Sequence, residues 1–246
     1  MLGRYPNILS PTVGNREVDM TTDAHHRHYL PGMGHDRLIG LYDPLTRLIG
    51  VAALHGELID QAGIQPGHRV LEIGCGTGNL ALQIAQRHPT AEVIGLDPDP
   101  RALARARRKA ARRGRAVQLD QGFAEELPYG DHVFDRVVSS LMFHHLGPDE
   151  KGAALREVRR VLRPGGTLHL LDLGGAKVAS DGVMARRSHR NPMLQDNFGD
   201  RIPQQMRAAG LADAVEVAHR VRRVMGRITF YRATAPEPTG PGAGVS

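Results

Sequence analysis

Apolar residues along this chain fall into short blocks that alternate between two spacings. Runs such as 70–73 (VLEI), 92–96 (EVIGL) and 167–172 (TLHLLD) have the length of strands buried on both faces. Between them, over 80–87, 101–115 and 150–162, apolar positions recur three and four apart, as on one face of a helix. Two more strands are predicted over 116–119 and 136–140. Upstream, Leu45, Leu48, Ile49, Ala52, Ala53, Leu58 and Ile59 predict an amphipathic helix over 43–61, closed by Gly63. Pro66-Gly67 then turns into the first strand, and Pro164-Gly165-Gly166 into the fifth. Near the end, 215–221 and 228–233 read as an antiparallel hairpin with its turn over 223–226. Strands alternating with helices imply a doubly wound α/β fold: a mostly parallel, seven-stranded sheet with a C-terminal antiparallel hairpin.

The flanks differ from this pattern. Residues 1–42 are polar, punctuated by Pro and Gly and rich in histidine, and predict an arm or lid before a main domain over 43–235. A second lid is expected as an insertion at about 174–199. Residues 236–246 lack apolar content and are expected to be disordered.

Composition narrows the class. A chain of 246 residues can build one large α/β core. No apolar run approaches the length of a membrane span, and the first thirty residues lack the apolar core of a secretory signal. The single cysteine, Cys75, has no internal disulfide partner and fits a reducing compartment, so a cytoplasmic location is expected. The net charge of +6 is concentrated in 101–115, RALARARRKAARRGR, which reads as the solvated face of a helix. Arginine dominates; Lys109, Lys151 and Lys177 are the lysines. Basic residues without interleaved aromatics disfavour nucleic acid as partner. His25, His26, His28 and His35 have no Cys or carboxylate at ligand spacing, so no metal is expected.

The chemistry-bearing stretch is 69–78, RVLEIGCGTG, where a strand meets Glu72 and then glycine at every second position. Gly74, Gly76 and Gly78 let the backbone pass close under a ligand at the carboxyl end of the strand. The spacing is neither the dinucleotide G-x-G-x-x-G nor a P-loop, because no Lys-Ser/Thr follows. Cys75 within it reads as a small residue tolerated under a ligand, without an activating partner. The next strand ends VIGLDPDP, and its Asp97 can accept hydrogen bonds from vicinal ribose hydroxyls.

Together with DQGFAEELPY, FDRVVSSLMFHHL and EVRRVLRPGGTLHLLD, these stretches resemble the class I S-adenosylmethionine-dependent methyltransferases, in particular the small-molecule group of ubiquinone/menaquinone type. The resemblance covers about 65–173. It implies S-adenosylmethionine as methyl donor and S-adenosylhomocysteine as product. It places Gly74, Gly76 and Gly78 under the methionine portion, Asp97 at the ribose, and the loop 122–125, with Phe123 and Ala124, beside the adenine, with Glu72, Cys75 and Pro98 also among the cofactor-binding residues. Leu141 and the residues to His145 would face the methyl donor and the acceptor pocket. Tyr42, within GHDRLIGLYDPL, would close over the cofactor; ordinary packing is its alternative. Where the family has Gly-Asp-Ala, this chain has Gly122-Phe123-Ala124. Phe123 stacking on the purine, Glu125 supplying the polar contact, and a plain core role for Phe123 are the alternatives.

Methyl transfer from a sulfonium needs few catalytic groups beyond alignment and removal of a proton. His144 and His145 are the titratable pair at the fourth strand's end and the candidates for general base, indistinguishable from sequence; packing the loop is their alternative role. Met184, Met193 and Phe198 in the second lid suit a small apolar pocket, whereas Arg186, Arg187 and Arg190 read as solvated. The expected activity is methyl transfer to a small apolar or aromatic acceptor. Two alternatives stay open: RNA or other nucleic-acid methylation, weakened for exocyclic amines because Ser139-Ser140-Leu141-Met142 stands where Asn/Asp-Pro-Pro-Tyr/Phe is typical, and a cofactor-binding protein without methyl transfer.

Overall fold

Val51, Leu54, His55, Leu58, Ile59 and Ala62 recur at helical intervals and are all buried, which winds Val51–Ala62 into helix α1. The structure, a computed structural model, describes residues 50–175, 192–222 and 226–237. The expected arm with Tyr42, the start of the 43–61 helix, Met184 and the three lid arginines, the 223–225 turn and most of the tail lie outside those residues.

After α1 the chain alternates: β1 (Arg69–Ile73), α2 (Asn79–Arg87), β2 (Glu92–Asp97), α3 (Pro100–Arg113), β3 (Gln118–Gln121) and β4 (Phe134–Ser140). A short 3-10 turn, Phe143–His145, leads to α4 (Pro148–Val161) and β5 (Leu162–Leu173). A second 3-10 turn, Pro192–Asn197, precedes α5 (Arg201–Ala208), β6 (Ala212–Arg222) and β7 (Gly226–Thr234). Sequence chemistry sets several ends. Pro100 opens α3, and the Asp99 side chain accepts the N–H of Arg101 at 2.8 Å. At α4, Glu150 accepts the Gly147 N–H at 2.7 Å.

The sheet has seven strands in the order β3-β2-β1-β4-β5-β7-β6. β1 through β5 pair in parallel, and β7 runs antiparallel between β5 and β6. The chain winds outward from β1 to β3 and then returns to β4 beside β1, so strand order reverses at the β1–β4 junction. In open α/β sheets the crevice beyond the strand ends at such a reversal is the ligand position. One face is covered by α1 and α2 through Leu54, Leu58, Ile84, Val93 and Val138, and the other by α4 and α5 through Leu155, Val158, Met206, Val137 and Leu170. α3 closes a smaller cluster of Cys75, Leu103, Ala106 and Leu119.

Among the boundaries that differ from expectation, three are set by the register of the sheet. β3 begins at Gln118, not residue 116, because its register is fixed by Gln118 opposite Ile94, and the chain needs Arg115, Ala116 and Val117 to reach that edge after α3. β4 starts at Phe134, earlier than predicted, since Phe134 already pairs with Leu162. Pro164-Gly165-Gly166 is a bulge within β5 instead of a turn before it: the register passes from Phe134–Leu162 to Arg136–Thr167, and the surplus residues loop out.

Candidate active site

At the β1–β2 end, the glycines have three different jobs. A side chain at Gly74 (φ +71°) would put its Cβ 2.2 Å from Met142 Cγ, so this glycine lets the strand that carries the histidines fold down over β1. At Gly78 the added Cβ would stand 2.9 Å from the Ala106 Cβ, so its absence brings α2 against α3. Only at Gly76 (φ +51°) is there nothing within 4 Å, which makes it the open wall of the loop. Gly78 therefore lets the two helices pack closely. The Cys75 thiol is buried in the α3 cluster, and burial pushes it far above the ordinary thiol range.

Asp97, at the tip of β2, is buried, and its two carboxylate oxygens accept the N–H groups of Gly76 at 2.7 Å and Asp99 at 2.9 Å. Burial pushes its carboxyl above the usual range, and the two N–H donors pull it back. Glu72 faces the α2 side and accepts the N–H of Ala81 at 2.7 Å, serving as the cap that α2 lacks at Gly78. Fully enclosed, with the Asp97 charge nearby, its carboxyl lies well above the ordinary value. Sequence reasoning did not find Lys109, which reaches back from α3 to donate to Thr77 Oγ1 at 2.8 Å and Asn79 Oδ1 at 2.9 Å, bracing the loop.

Beyond β2, Pro98 is half-buried and its carbonyl accepts from the Gln121 side chain at 3.2 Å. In the 122–125 loop, Ala124 is part of the core, whereas Phe123 is half-buried and belongs to no core cluster.

At the β4–β5 end, Leu141 holds φ at +56°, a conformation rarely adopted by a side-chain-bearing residue, and Met142 drops onto Gly74. Leu141 packs against the α1–α2 core. The reversal lifts the Phe143–His145 turn over β5, where the two histidines separate. His144 Nδ1 lies 2.6 Å from Asp172 Oδ1, and its main-chain N–H reaches Asp172 Oδ2 at 3.2 Å. Asp172 is fully buried and also accepts the Leu173 N–H at 2.6 Å. Burial alone would lower the His144 pKa, but the charge and hydrogen bond of Asp172 prevail and raise it above the usual imidazole value. His145, its ring centroid 4.1 Å from that of His144, is lowered to about 4 by burial and by its neighbour's charge. The contact places Nδ1 of His144 against the buried acid and leaves Nε2 as the ring nitrogen not engaged by it.

Asp172, the orienting acid, stands last in LHLLD, and an acid closing a buried strand, as Asp97 does on β2, was the signal available for it. His55 on α1, 3.0 Å from Ser140 Oγ and lowered to about 4 by burial, had no comparable signal.

No helix among the described residues is long and apolar enough to cross a membrane. Residues 70–166 match the family described as a methyltransferase domain. A demethylmenaquinone methyltransferase of Thermus thermophilus is 38% identical over 148 residues, covering 59% of this chain and 66% of that protein. The matches to this and two further curated relatives span between 43% and 66% of the relatives' own lengths. Among solved structures, the YcgJ protein of Bacillus subtilis superposes with a TM-score of 0.61 at 22% identity, over 74% of this chain and 98% of its own. The cyclase SpnF gives 0.62 at 20%, over 76% and 81%. Both likenesses are of fold.

Proposed function

The chain belongs to the class I, Rossmann-like S-adenosylmethionine-dependent methyltransferases, and from that premise we propose that it transfers a methyl group from S-adenosylmethionine to a small apolar or aromatic acceptor. The observation carrying this reading is the meeting, at the carboxyl ends of the parallel strands, of the acid-flanked loop of β1–β2 with the His144–Asp172 pair of β4–β5. The donor side fits the cofactor: Gly76 presents an unobstructed wall, and Asp97 is already oriented by two N–H donors to accept from a vicinal diol. When bound, S-adenosylmethionine supplies a methyl group activated on a sulfonium, whose loss leaves a neutral thioether. What remains for the protein is alignment, exclusion of water and proton removal. His144 Nε2 takes the acceptor's proton while Asp172 holds Nδ1–H and stabilises the imidazolium that forms. The neighbouring His145, held neutral by its surroundings, adds no competing charge.

The relative's name, demethylmenaquinone methyltransferase, directs the acceptor panel toward quinols and phenols. Calorimetry with S-adenosylmethionine is expected to show binding that Asp97→Ala weakens by about 10- to 100-fold, the cost of losing charge-assisted hydrogen bonds. Binding unchanged by that substitution would sink the donor assignment. Labelled methyl should then appear in a quinol or phenol, and His144→Ala should lower the rate by about 100-fold or more while His145→Ala leaves it near wild type. Label in bulk RNA alone would overturn the small-molecule acceptor, and binding without transfer to any acceptor would leave a cofactor-binding protein of the same fold.

A further inference from the structure

Lys151 on α4 is 1% exposed, so its ammonium is as deeply enclosed as a leucine side chain. Buried charges are found paired, since an isolated one is costly to remove from water. Yet among the described residues no carboxylate lies within salt-bridge distance of it. Its Nζ donates to the neutral Asn197 Oδ1 at 2.8 Å and sits 5.6 Å from the centroid of the Phe143 ring. Both neighbours belong to the proposed site. Phe143 precedes His144 in the same 3-10 turn. Asn197 donates through Nδ2 to the carbonyl of Leu173, the residue that follows Asp172, at 2.9 Å. The ammonium is therefore linked to the chain on both sides of the His144–Asp172 pair, to the Phe143 ring on one side and through Asn197 to the Leu173 carbonyl on the other.

We propose that Lys151 is a positioning residue for the general base: its buried charge counters that of Asp172 and limits how strongly Asp172 draws a proton onto His144. The inference rests on the base reading of His144 given above. Asp172 alone, fully enclosed against the ring, would favour the protonated ion pair more strongly, and an imidazolium cannot act as a base. A second buried cation makes that protonation less favourable, because two positive charges would then share one carboxylate. The other charged groups around the pair do not replace it. His145 in the turn is neutral, and Tyr231 on β7 keeps its phenol protonated through burial. Arg227 is engaged by Glu216 at 2.9 Å, and Asp196 in the Pro192–Asn197 turn acts on Lys151 itself, opposing the loss of its proton that burial favours.

The test reads His144 directly, without turnover. The imidazole carbon resonances of the histidine-labelled full chain are followed against pH, with His144 assigned from its loss in His144→Ala. In Lys151→Gln, which keeps a donor for Asn197 but no charge, the His144 midpoint is expected to rise by about one pH unit, a tenfold change in its protonation constant. Lys151→Met, an apolar replacement of similar length, should give the same rise, and it stands in should the Gln variant fail to fold. Lys151→Arg should leave the midpoint within a few tenths of wild type if its bulk is accommodated. A midpoint unmoved in folded Gln and Met variants, or one that falls, would overturn the role assigned to Lys151. Failure of the base reading is separate: it would show as an unchanged transfer rate in His144→Ala, whatever the titration.

Discussion

The buried carboxylates at the two halves of the strand ends are held differently: Asp97 and Glu72 by main-chain N–H groups, Asp172 by main-chain N–H groups and the His144 ring as well. At β1–β2, carboxylates take main-chain N–H groups close in sequence: Asp97 from Asp99 two residues on and from Gly76 twenty-one back, Glu72 from Ala81 nine on. At β4–β5, side chains meet side chains over longer spans: His144 and Asp172 are 28 residues apart, Lys151 and Asn197 46, and His55 and Ser140 85. Backbone-held groups are set as soon as the loop adopts its conformation, which suits a cofactor whose shape does not vary. Side-chain networks are set by packing, and exchanging a few residues resets them, which suits an acceptor site that differs between enzymes of one fold.

The largest expected effect falls where the halves touch. Gly74→Ala drives a Cβ into Met142 and places alanine at φ +71°, so it should lower unfolding free energy by about 3 kcal/mol in urea titrations. Gly76→Ala meets nothing and should cost about 1 kcal/mol while impairing S-adenosylmethionine binding. Equal destabilisation by both would erase the distinction between a glycine that joins the halves and one that opens the loop.

Acid should strain the histidine side next. His55 is lowered from 6.5 to about 4 by burial, and His145 likewise to about 4. Because the unfolded chain binds these protons more readily, the associated stability is complete above pH 6.5 and is lost as pH falls toward 4. For His55 the full change is on the order of 3 kcal/mol. His144 acts in the opposite sense, its raised pKa giving stability that is present below 6.5 and lost as pH rises through its folded value. Thermal midpoints between pH 7 and 4 should therefore drop in wild type and drop less in His55→Gln; identical slopes would refute the buried neutral His55.

On the other side, Glu72→Ala strands the Ala81 N–H and should cost about 2 kcal/mol, whereas Glu72→Gln retains an acceptor and should cost less than half of that. Equal losses would mean that charge, not helix capping, is what Glu72 provides. The smallest effect is chemical. Cys75, enclosed by α3 with its thiol pushed up by burial, should resist a thiol reagent in the folded chain and react at once on unfolding, with modification tracking the urea transition.

The contrast also explains which features could be read before folding. The alternation of short apolar runs and helical spacings identified all seven strands, because each period reflects an element's own geometry. The boundaries that moved at Gln118, Phe134 and the Pro-Gly-Gly bulge are set by a neighbouring strand's register. Within the site, Asp97 and the open Gly76 were legible because acid and glycine sit in one motif. That Gly78 also meets Ala106 and Cys75 the α3 core could not be read from the motif, because both contacts depend on where α3 packs.

By itself, then, the sequence determined the α/β class, the strand that ends in the glycine loop and the acid on the next strand, all of which depend on residues near one another in the chain. The tertiary structure alone decided that His144 and not His145 faces a carboxylate, that Asp172 is that carboxylate, and that Lys151 lies buried between the Phe143 ring and Asn197. Two adjacent histidines are equivalent as letters. They become different groups when Leu141 turns through a positive φ and presents one of them to the end of β5, where burial and a fixed charge set its proton affinity.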